Sequence, residues 1–215
     1  AAKLGIRPDL ETLRRIVIRN APDGAPEAYF DEKPVDGVIA MTDRADWAVC
    51  AILDGGGRVG CDLELVEERS AAFAAYYFAE QEQRAVATAL DARVTANVLW
   101  SAKESALKVL RAGLRRDTRT VEVTLQETKS NGWQALEVEA TEGPIFPGWW
   151  IRFGDFVLTV AAEREVPAPV SLEERPGLAT AVPSHRWMQS MLRVDSGVLP
   201  EAEPSIHRKE SDQPS

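Results

Sequence analysis

Two carboxylates stand two residues apart in the stretch VGCDLEL, residues 59–65. Successive side chains of a β-strand point to opposite faces, so Asp62 and Glu64 are predicted on one face and Cys61, Leu63 and Leu65 on the other. Like charges this close repel each other unless a cation lies between them or water screens them. The stretch therefore predicts either a strand that faces a cation or a solvated acidic face.

A second group of ionisable residues lies in the helix-like stretch LWSAKESALKVL, residues 99–110. Glu104 and Lys108 are four residues apart, so they share a helix face, and Ser101 lies one turn before Glu104. An exposed Glu–Lys pair of this spacing stabilises a helix by about 0.2–0.5 kcal/mol. Taken alone, the helix favours that structural role.

Basic residues are concentrated between Lys103 and Arg119, where six lysines or arginines accompany two acidic residues. The whole chain has a net charge of −9, so this segment is a local positive patch. Two interpretations are open. The cations can complement the dipole at a helix end, or they can form a platform for phosphates and for an acidic partner.

Histidine is absent from the main body of the chain, because His185 and His207 both lie in the C-terminal fifth. A Ser-His-Asp triad, a Cys-His pair or a histidine-bearing zinc site is therefore not expected there. Chemistry in the main body has to use carboxylates, lysines, arginines or a hard metal ion.

The elements that position these residues follow from the pattern of apolar residues. Strands are predicted around residues 16–18 and at 38–42, 46–53, 59–65, 120–127, 133–140, 149–154 and 156–163. Helices are predicted at 70–90 and at 93–112, the second ending at Gly113, and residues 23–37 are predicted as loop. Residues 54–58 predict a hairpin-type turn, and Asn131-Gly132 predicts a β-hairpin. Strands, helices and then antiparallel strands indicate an α+β fold.

Composition narrows the class of protein. The 215 residues can bury one good core or two small ones, and the net charge of −9 argues against general nucleic-acid binding. Apolar runs are too short for a membrane span and no signal-peptide core is present, so a cytoplasmic protein with no membrane partner is expected. The two cysteines, Cys50 and Cys61, are predicted to be reduced core thiols.

Residues 167–215 hold seven of the thirteen prolines and are predicted to be a disordered tail or linker, with a transient helix at 186–194.

The strand and helix motifs together resemble those of the 4′-phosphopantetheinyl transferase superfamily, in its Sfp-like type. The family pattern is a Gly-x-Asp-x-Glu strand followed, some forty residues later, by a helix with Trp-Ser-x-Lys-Glu-Ser/Ala-x-x-Lys. The residues that match it are Gly60, Asp62, Glu64, Trp100, Ser101, Lys103, Glu104, Ser105 and Lys108. The resemblance spans roughly residues 38–163 and includes YYFAEQEQRAV, RAGLRRDTRTVEV and FVLTVAAE. It implies an antiparallel sheet packed with helices in a pseudo-twofold or partial two-half arrangement, within a domain of residues 1–166.

The resemblance also implies a reaction. Phosphopantetheine would move from coenzyme A to a serine of an acyl or peptidyl carrier protein, as in a holo-acyl-carrier-protein synthase, releasing adenosine 3′,5′-bisphosphate. By this resemblance Asp62, Glu64 and Glu104 hold Mg²⁺, with Mn²⁺ as a substitute. Glu104 and Lys108 are the catalytic residues, with Glu104 taking the serine proton. Lys103 and Lys108 contact phosphate oxygens.

The match departs from the family at the strand MTDRADW, where the family usually carries a Ser-His pair that contacts the coenzyme A end of the substrate. Thr42 and Asp43 stand there and are the expected coenzyme A contacts in this chain. An acid beside a phosphate is unfavourable unless a neighbour such as Arg44 compensates. The sequence therefore predicts coenzyme A binding that is weaker, differently oriented or lost.

Two functions of different class stay open at this point. The first is an active transferase serving polyketide or fatty acid biosynthesis, in which the short N-terminal part and the proline-rich end fit a domain of a larger polyketide synthase. The second is a degenerate domain that binds a carrier protein, or acts as a structural module, without catalysis. Asp43 is the residue that favours the second.

Overall fold

The computed structural model describes residue 5, residues 9–112 and residues 116–172 of the chain. These residues form an α+β fold of antiparallel sheets and four α-helices, which confirms the predicted fold class. The pseudo-twofold relation between two halves stays a prediction. No helix in the described part of the chain is long and apolar enough to cross a membrane.

The central element is a five-stranded antiparallel sheet with the strand order β6-β10-β9-β8-β7. Its strands are β6 (Val59–Leu65), β7 (Val121–Ser130), β8 (Trp133–Ala140), β9 (Ile145–Phe153) and β10 (Phe156–Ala162). The predicted Asn131-Gly132 turn joins β7 to β8, with positive φ at both turn residues as a tight hairpin requires. Strand β6, which carries the acidic pair, pairs with β10 so that Asp62 lies opposite Thr159.

Helix α4 (Ala92–Val109) packs on one face of this sheet against β6 and β10. Asp91 caps its first turn by accepting a hydrogen bond from the backbone N–H of Val94 at 3.1 Å. The apolar stripe of α4 forms the main core with strands β7 and β8 and with Phe78. The polar side of the helix therefore faces strand β6, which brings the two motifs together.

The apolar face of β6 packs on a separate two-stranded hairpin, β4 (Val38–Arg44) and β5 (Trp47–Leu53). Cys61, Leu63 and Leu65 are buried there, so the predicted alternation of β6 is confirmed. Cys50 lies on β5 and is exposed, which corrects the expectation that both thiols are in the core. Residues 54–58 lead from β5 into the five-stranded sheet and do not close a hairpin.

The N-terminal part contains more strand than predicted. Helix α1 (Leu10–Leu13) precedes a three-stranded sheet of β1 (Ile16–Asn20), β2 (Pro26–Phe30) and β3 (Lys33–Pro34). The prediction of a loop at 23–37 was therefore wrong for residues 26–30 and 33–34. Pro26 is the first residue of β2, a strand position that tolerates the missing N–H, and Arg15 and Arg19 cover the rings of Phe30 and Tyr29.

The predicted helix at 70–90 is two helices, α2 (Ala71–Tyr77) and α3 (Glu80–Thr88). The break occurs at Phe78, which has extended backbone angles and is buried in the main core. Helix α4 ends at Val109, three residues before the predicted end, and Gly113 lies outside the described residues.

Packing continues past the end of β10. The indole N–H of Trp149 donates to the carbonyl oxygen of Val166 at 3.0 Å, and Ala168 is buried against the cluster that includes Cys61 and Leu63. The domain boundary predicted at residue 166 stays a prediction, and packed structure extends at least to Ala168. The remainder of the predicted tail, from residue 173 onward, lies outside the described residues.

Gly60 allows β6 and α4 to approach closely. A Cβ added there would lie within 3.0 Å of the Cβ of Lys108 and would overlap the carbonyl oxygen of Ser105. Gly60→Ala is therefore expected to lower the free energy of unfolding by about 1–3 kcal/mol, because backbone atoms have to move apart. Urea unfolding of the variant checks this, and wild-type stability would mean that α4 has room to shift.

Candidate active site

Asp62 is held from two directions. The Nζ of Lys108 lies 3.1 Å from its Oδ1 and donates a second hydrogen bond to the carbonyl oxygen of Cys61 at 2.7 Å. The Thr42 hydroxyl on β4 donates to the same Oδ1 at 3.3 Å. The other oxygen, Oδ2, is buried and has no hydrogen-bond partner among the described residues. One carboxylate oxygen of Asp62 is therefore fixed, and the other is left for a ligand.

Glu104 lies on α4 one turn before Lys108, on the side of the helix that faces β6. Its Oε1 is also buried without a hydrogen-bond partner in the described part of the chain. The pKa of Glu104 is raised to about 7, first by burial and then by the negative charges of Asp62 and Glu64, while Lys108 opposes the shift. The structure thus brings Asp62, Glu104 and Lys108 together, as the two motifs predicted.

Glu64 has different neighbours. Its Oε1 accepts a hydrogen bond from the indole N–H of Trp100 at 3.0 Å, and its Oε2 accepts one from Arg69 at 3.1 Å. Arg44 lies 3.6 Å from the same Oε2. Burial and then Asp62 raise the pKa of Glu64, while Arg69 and Arg44 oppose that shift. Both oxygens of Glu64 are engaged, so arginine is the cation beside this acid.

Aromatic packing holds Trp100 in place for this contact. Its ring lies 5.2 Å from that of Phe73 and 4.9 Å from that of Tyr77, both edge-on and both from α2. The guanidinium of Arg69 lies over the ring of Phe73, 4.8 Å from its centre. Helix α2 therefore positions both donors of Glu64.

A hard cation such as Mg²⁺ prefers oxygen ligands, and the unpartnered oxygens of Asp62 and Glu104 are donors of that kind. They fit such an ion. Glu64 fits less well, because its oxygens already accept from Trp100 and Arg69. Within the described ranges no three histidine, cysteine or acidic side chains are grouped as metal ligands. The three-carboxylate site stays a prediction; in the structure two of its carboxylates keep an unpartnered oxygen and the third, Glu64, is paired within the chain.

Lys103 does not join this group. It is fully buried, and its Nζ lies 2.8 Å from Glu82 and donates to the carbonyl oxygens of Thr118, at 2.9 Å, and Val121. Burial lowers the pKa of Lys103 despite the opposing effect of Glu82. The predicted contact of Lys103 with a phosphate is therefore corrected to a structural ion pair. Its place four residues after Leu99, on the apolar stripe, was the sequence signal for this burial.

The two residues expected at the coenzyme A end diverge. The hydroxyl of Thr42 accepts a hydrogen bond from the backbone N–H of Leu63 at 3.2 Å and so joins β4 to the acidic strand. Asp43 is exposed. Arg44 pairs with Glu64 and Glu67, both at 3.6 Å, so it is not the partner that the sequence suggested for Asp43.

The basic patch is largely paired with acids of the same chain. Arg111 lies 2.6 Å from Asp23, and Arg119 lies 2.8 Å from Asp117. Lys103 is buried, and Arg115 lies outside the described residues. The patch is therefore less open to an acidic partner than its composition indicates.

Sequence reasoning missed three residues that support the site. Arg69 donates to the side-chain oxygen of Asn97 at 2.8 Å as well as to Glu64. Thr159 on β10 is buried between the hydroxyls of Ser101 and Ser105, at 2.9 and 2.7 Å. A lone threonine in the apolar run FVLTVAA was a sequence signal for this buried network of hydroxyl groups. The contact between Arg69 and Asn97 had no such signal in the sequence.

Stability of the metal-free chain is expected to fall as pH rises from about 4.5 to about 7. The folded chain keeps a proton on Glu104, whose pKa is raised from its usual 4.5 to about 7, and the unfolded chain releases it over this window. Melting temperatures measured in chelator across the window test this. Glu104→Gln should flatten the slope, and a melting temperature that rises with pH would contradict the assignment.

The family comparison agrees with this geometry. The model of the 4′-phosphopantetheinyl transferase superfamily matches residues 58–161, from the start of β6 to the end of β10. A search of curated proteins finds no match to the chain. Residues 58–161 therefore match the 4′-phosphopantetheinyl transferase superfamily, and the matched segment contains both the Asp62–Glu64 strand and the Glu104–Lys108 helix.

Proposed function

We propose that the chain transfers 4′-phosphopantetheine from coenzyme A to a serine of an acyl or peptidyl carrier protein in a Mg²⁺-dependent reaction. The family whose model matches residues 58–161 suggests transfer to carrier proteins. One observation supports catalysis by this chain in particular: two buried carboxylate oxygens, Asp62 Oδ2 and Glu104 Oε1, have no partner among the described residues. Buried acids left unpaired are costly and occur where a ligand or proton completes them.

Each residue has a chemical task in this proposal. The ammonium group of Lys108 donates two of its three N–H groups to Asp62 and to the carbonyl oxygen of Cys61. Its side chain is 32% exposed, so the third N–H can donate to a phosphate oxygen. Asp62 Oδ2 and Glu104 Oε1 would hold the ion. When bound there, Mg²⁺ supplies positive charge that neutralises the pyrophosphate.

The transfer itself balances as a displacement at phosphorus. The serine hydroxyl oxygen of the carrier forms a bond to the phosphorus that bears pantetheine. The bond from that phosphorus to the bridging oxygen breaks, and adenosine 3′,5′-bisphosphate leaves. By the motif resemblance, Glu104 would also accept the serine proton, on the carboxylate oxygen that does not hold the ion.

Glu64 acts as a positioning residue in this account. Its contacts with Trp100 and Arg69 fix the strand and the helix relative to each other, so that Asp62 meets Lys108. We place the chain with the Sfp-like members as an enzyme for polyketide or fatty acid carriers, on the motif resemblance alone.

The direct test incubates the full chain with apo carrier protein, coenzyme A and Mg²⁺ and follows the mass of the carrier. A mass gain of one phosphopantetheine group supports the transferase. Binding of the carrier without any mass gain, across several carriers, would instead support the degenerate carrier-binding domain.

Metal removal should abolish transfer by an active preparation, because the pyrophosphate would then face Asp62 and Glu104 with no cation between them. Treatment with EDTA followed by re-addition of Mg²⁺ or Mn²⁺ measures this, and either ion should restore the mass gain. Transfer that persists after complete chelation would remove the proposed metal role of these two acids.

A further inference from the structure

Arg69 is a buried cation at the edge of the candidate active site, in the segment between β6 and α2. Its side chain is only 5% exposed. It donates to Glu64 Oε2 at 3.1 Å and to Asn97 Oδ1 at 2.8 Å, and its guanidinium lies over the ring of Phe73. Because contacts from three directions hold the guanidinium, the fold itself places this charge beside Glu64.

Asn97 is oriented for its contact with Arg69. This asparagine is fully buried in α4, and its Nδ2 donates to the carbonyl oxygens of Glu67, at 2.6 Å, and Arg93, at 2.8 Å. Its Oδ1 is therefore turned toward the guanidinium. A buried amide whose donors and acceptor all have partners is a rigid support for the arginine.

A second arginine reaches the same carboxylate from strand β4. Arg44 lies 3.6 Å from Glu64 Oε2 and 3.6 Å from Glu67, so its charge is divided between two acids. Arg69 is the nearer cation to Glu64, at 3.1 Å, and the indole N–H of Trp100 donates to the other oxygen of Glu64 at 3.0 Å. Both oxygens of this carboxylate are thus engaged by neighbours in the chain.

The neighbouring acids are left in a different state. Asp62 Oδ2 and Glu104 Oε1 are buried without a hydrogen-bond partner among the residues that the structure describes. Glu64 follows Asp62 by two residues on the same face of β6. A third carboxylate so close would add a negatively charged oxygen ligand, and the affinity of an oxygen site for a hard cation rises with the charge of its ligands. Arg69 neutralises that third charge.

We infer that Arg69 is a positioning residue that holds Glu64 away from the ion, so that the site binds a free divalent cation through Asp62 and Glu104 and more weakly than three acids would. The inference rests on the proposed function, since it concerns the ion that the proposed reaction uses. Fewer carboxylates around an ion leave more of its charge for the diphosphate of the substrate.

The experiment titrates the full chain with Mn²⁺ in the absence of substrate and follows free Mn²⁺ by its electron paramagnetic resonance signal. Arg69→Gln should tighten Mn²⁺ binding about tenfold, because Glu64 loses its nearest cation and becomes a ligand. Arg69→Lys should fall between this variant and wild type, since lysine keeps the charge but lacks the fork that reaches Asn97 and Glu64 together. Arg84→Gln is the charge-matched control, because it removes an exposed arginine of α3.

A double variant, Arg69→Gln with Glu64→Gln, tests whether Glu64 is already a ligand in the wild-type chain. It removes one charge of each sign and should bind Mn²⁺ within about twofold of wild type. Asp62→Asn is the reference for the loss of a ligand and should weaken binding about tenfold or more. Thermal unfolding adds a second measurement, because Mn²⁺ should raise the melting temperature of Arg69→Gln more than that of wild type.

Mn²⁺ binding by Arg69→Gln that is no tighter than in wild type would overturn the inference. A double variant that loses as much affinity as Asp62→Asn would overturn it too. If Arg69→Gln does not fold without metal, Arg69→Lys and the double variant decide by the same criteria. The mass-gain assay reports separately on the proposed function: transfer by wild type with unchanged Mn²⁺ affinity in Arg69→Gln would retain that function and remove this inference, and tighter binding without any transfer would do the reverse.

Discussion

Glu104→Gln is expected to lower the rate of phosphopantetheine transfer by about 10²–10⁴-fold without lowering the melting temperature. The substitution keeps the size of the side chain but removes the negative charge that would accept a proton and bind an ion. It also removes repulsion from Asp62 and Glu64, which together with burial raises the pKa of Glu104. Single-turnover measurements of carrier mass give the rate, and thermal unfolding gives the stability.

A matched control distinguishes this outcome from the loss of an ordinary helix pair. Glu80 lies on α3, is exposed and pairs with Arg84 four residues later, so Glu80→Gln removes a surface pair of the kind first considered for Glu104. We expect that control to keep wild-type transfer. Wild-type turnover in Glu104→Gln would mean that Glu104, like Glu80, has only a structural role and does not accept the proton.

Lys103→Met is expected to lower the free energy of unfolding by about 3–5 kcal/mol, because it leaves the carboxylate of Glu82 buried without its cation. Glu82 is almost fully buried and keeps two hydrogen bonds, from the backbone N–H groups of Ala79 and Val123, both at 2.8 Å. These bonds do not replace a positive charge. Urea unfolding monitored by tryptophan fluorescence measures the loss.

Two further variants make the assignment of Lys103 specific. The double variant Lys103→Met with Glu82→Gln removes both charges and should recover much of the lost stability. Lys108→Met changes the lysine that faces Asp62 and should instead lower transfer with a smaller effect on unfolding. A stable Lys103→Met chain that fails to transfer would restore the phosphate contact expected from the motif.

The motif residues form two groups that differ in what their side chains contact. Trp100, Lys103 and Glu64 face partners within the chain, whereas Asp62, Glu104 and Lys108 keep atoms that are unpartnered or exposed. A sequence motif does not distinguish these two groups, because residues that build a site and residues that react within it recur at the same spacing.

Local periodicity determined a large part of the description. Alternation along residues 59–65 placed Asp62 and Glu64 on the opposite face from the apolar residues. The structure confirms this, since the apolar residues of β6 pack on the β4–β5 hairpin and Asp62 faces Lys108 of α4. Four-residue spacing placed Glu104 and Lys108 on one side of α4. The α+β class followed from the order of such segments, since each pattern depends only on backbone geometry.

Tertiary structure alone decided which charges meet. Arg69, in the segment between β6 and α2, pairs with Glu64 of β6. Lys103 meets Glu82 because α3 packs against α4. Residues 26–30 and 33–34 are strands because β1 pairs with β2 and β2 pairs with β3, although their composition is that of a loop. A cavity lined by Lys108 and Arg111 forms only where the N-terminal part reaches the end of α4. These contacts depend on how separate segments pack, and periodicity within a segment carries no information about its neighbours in space.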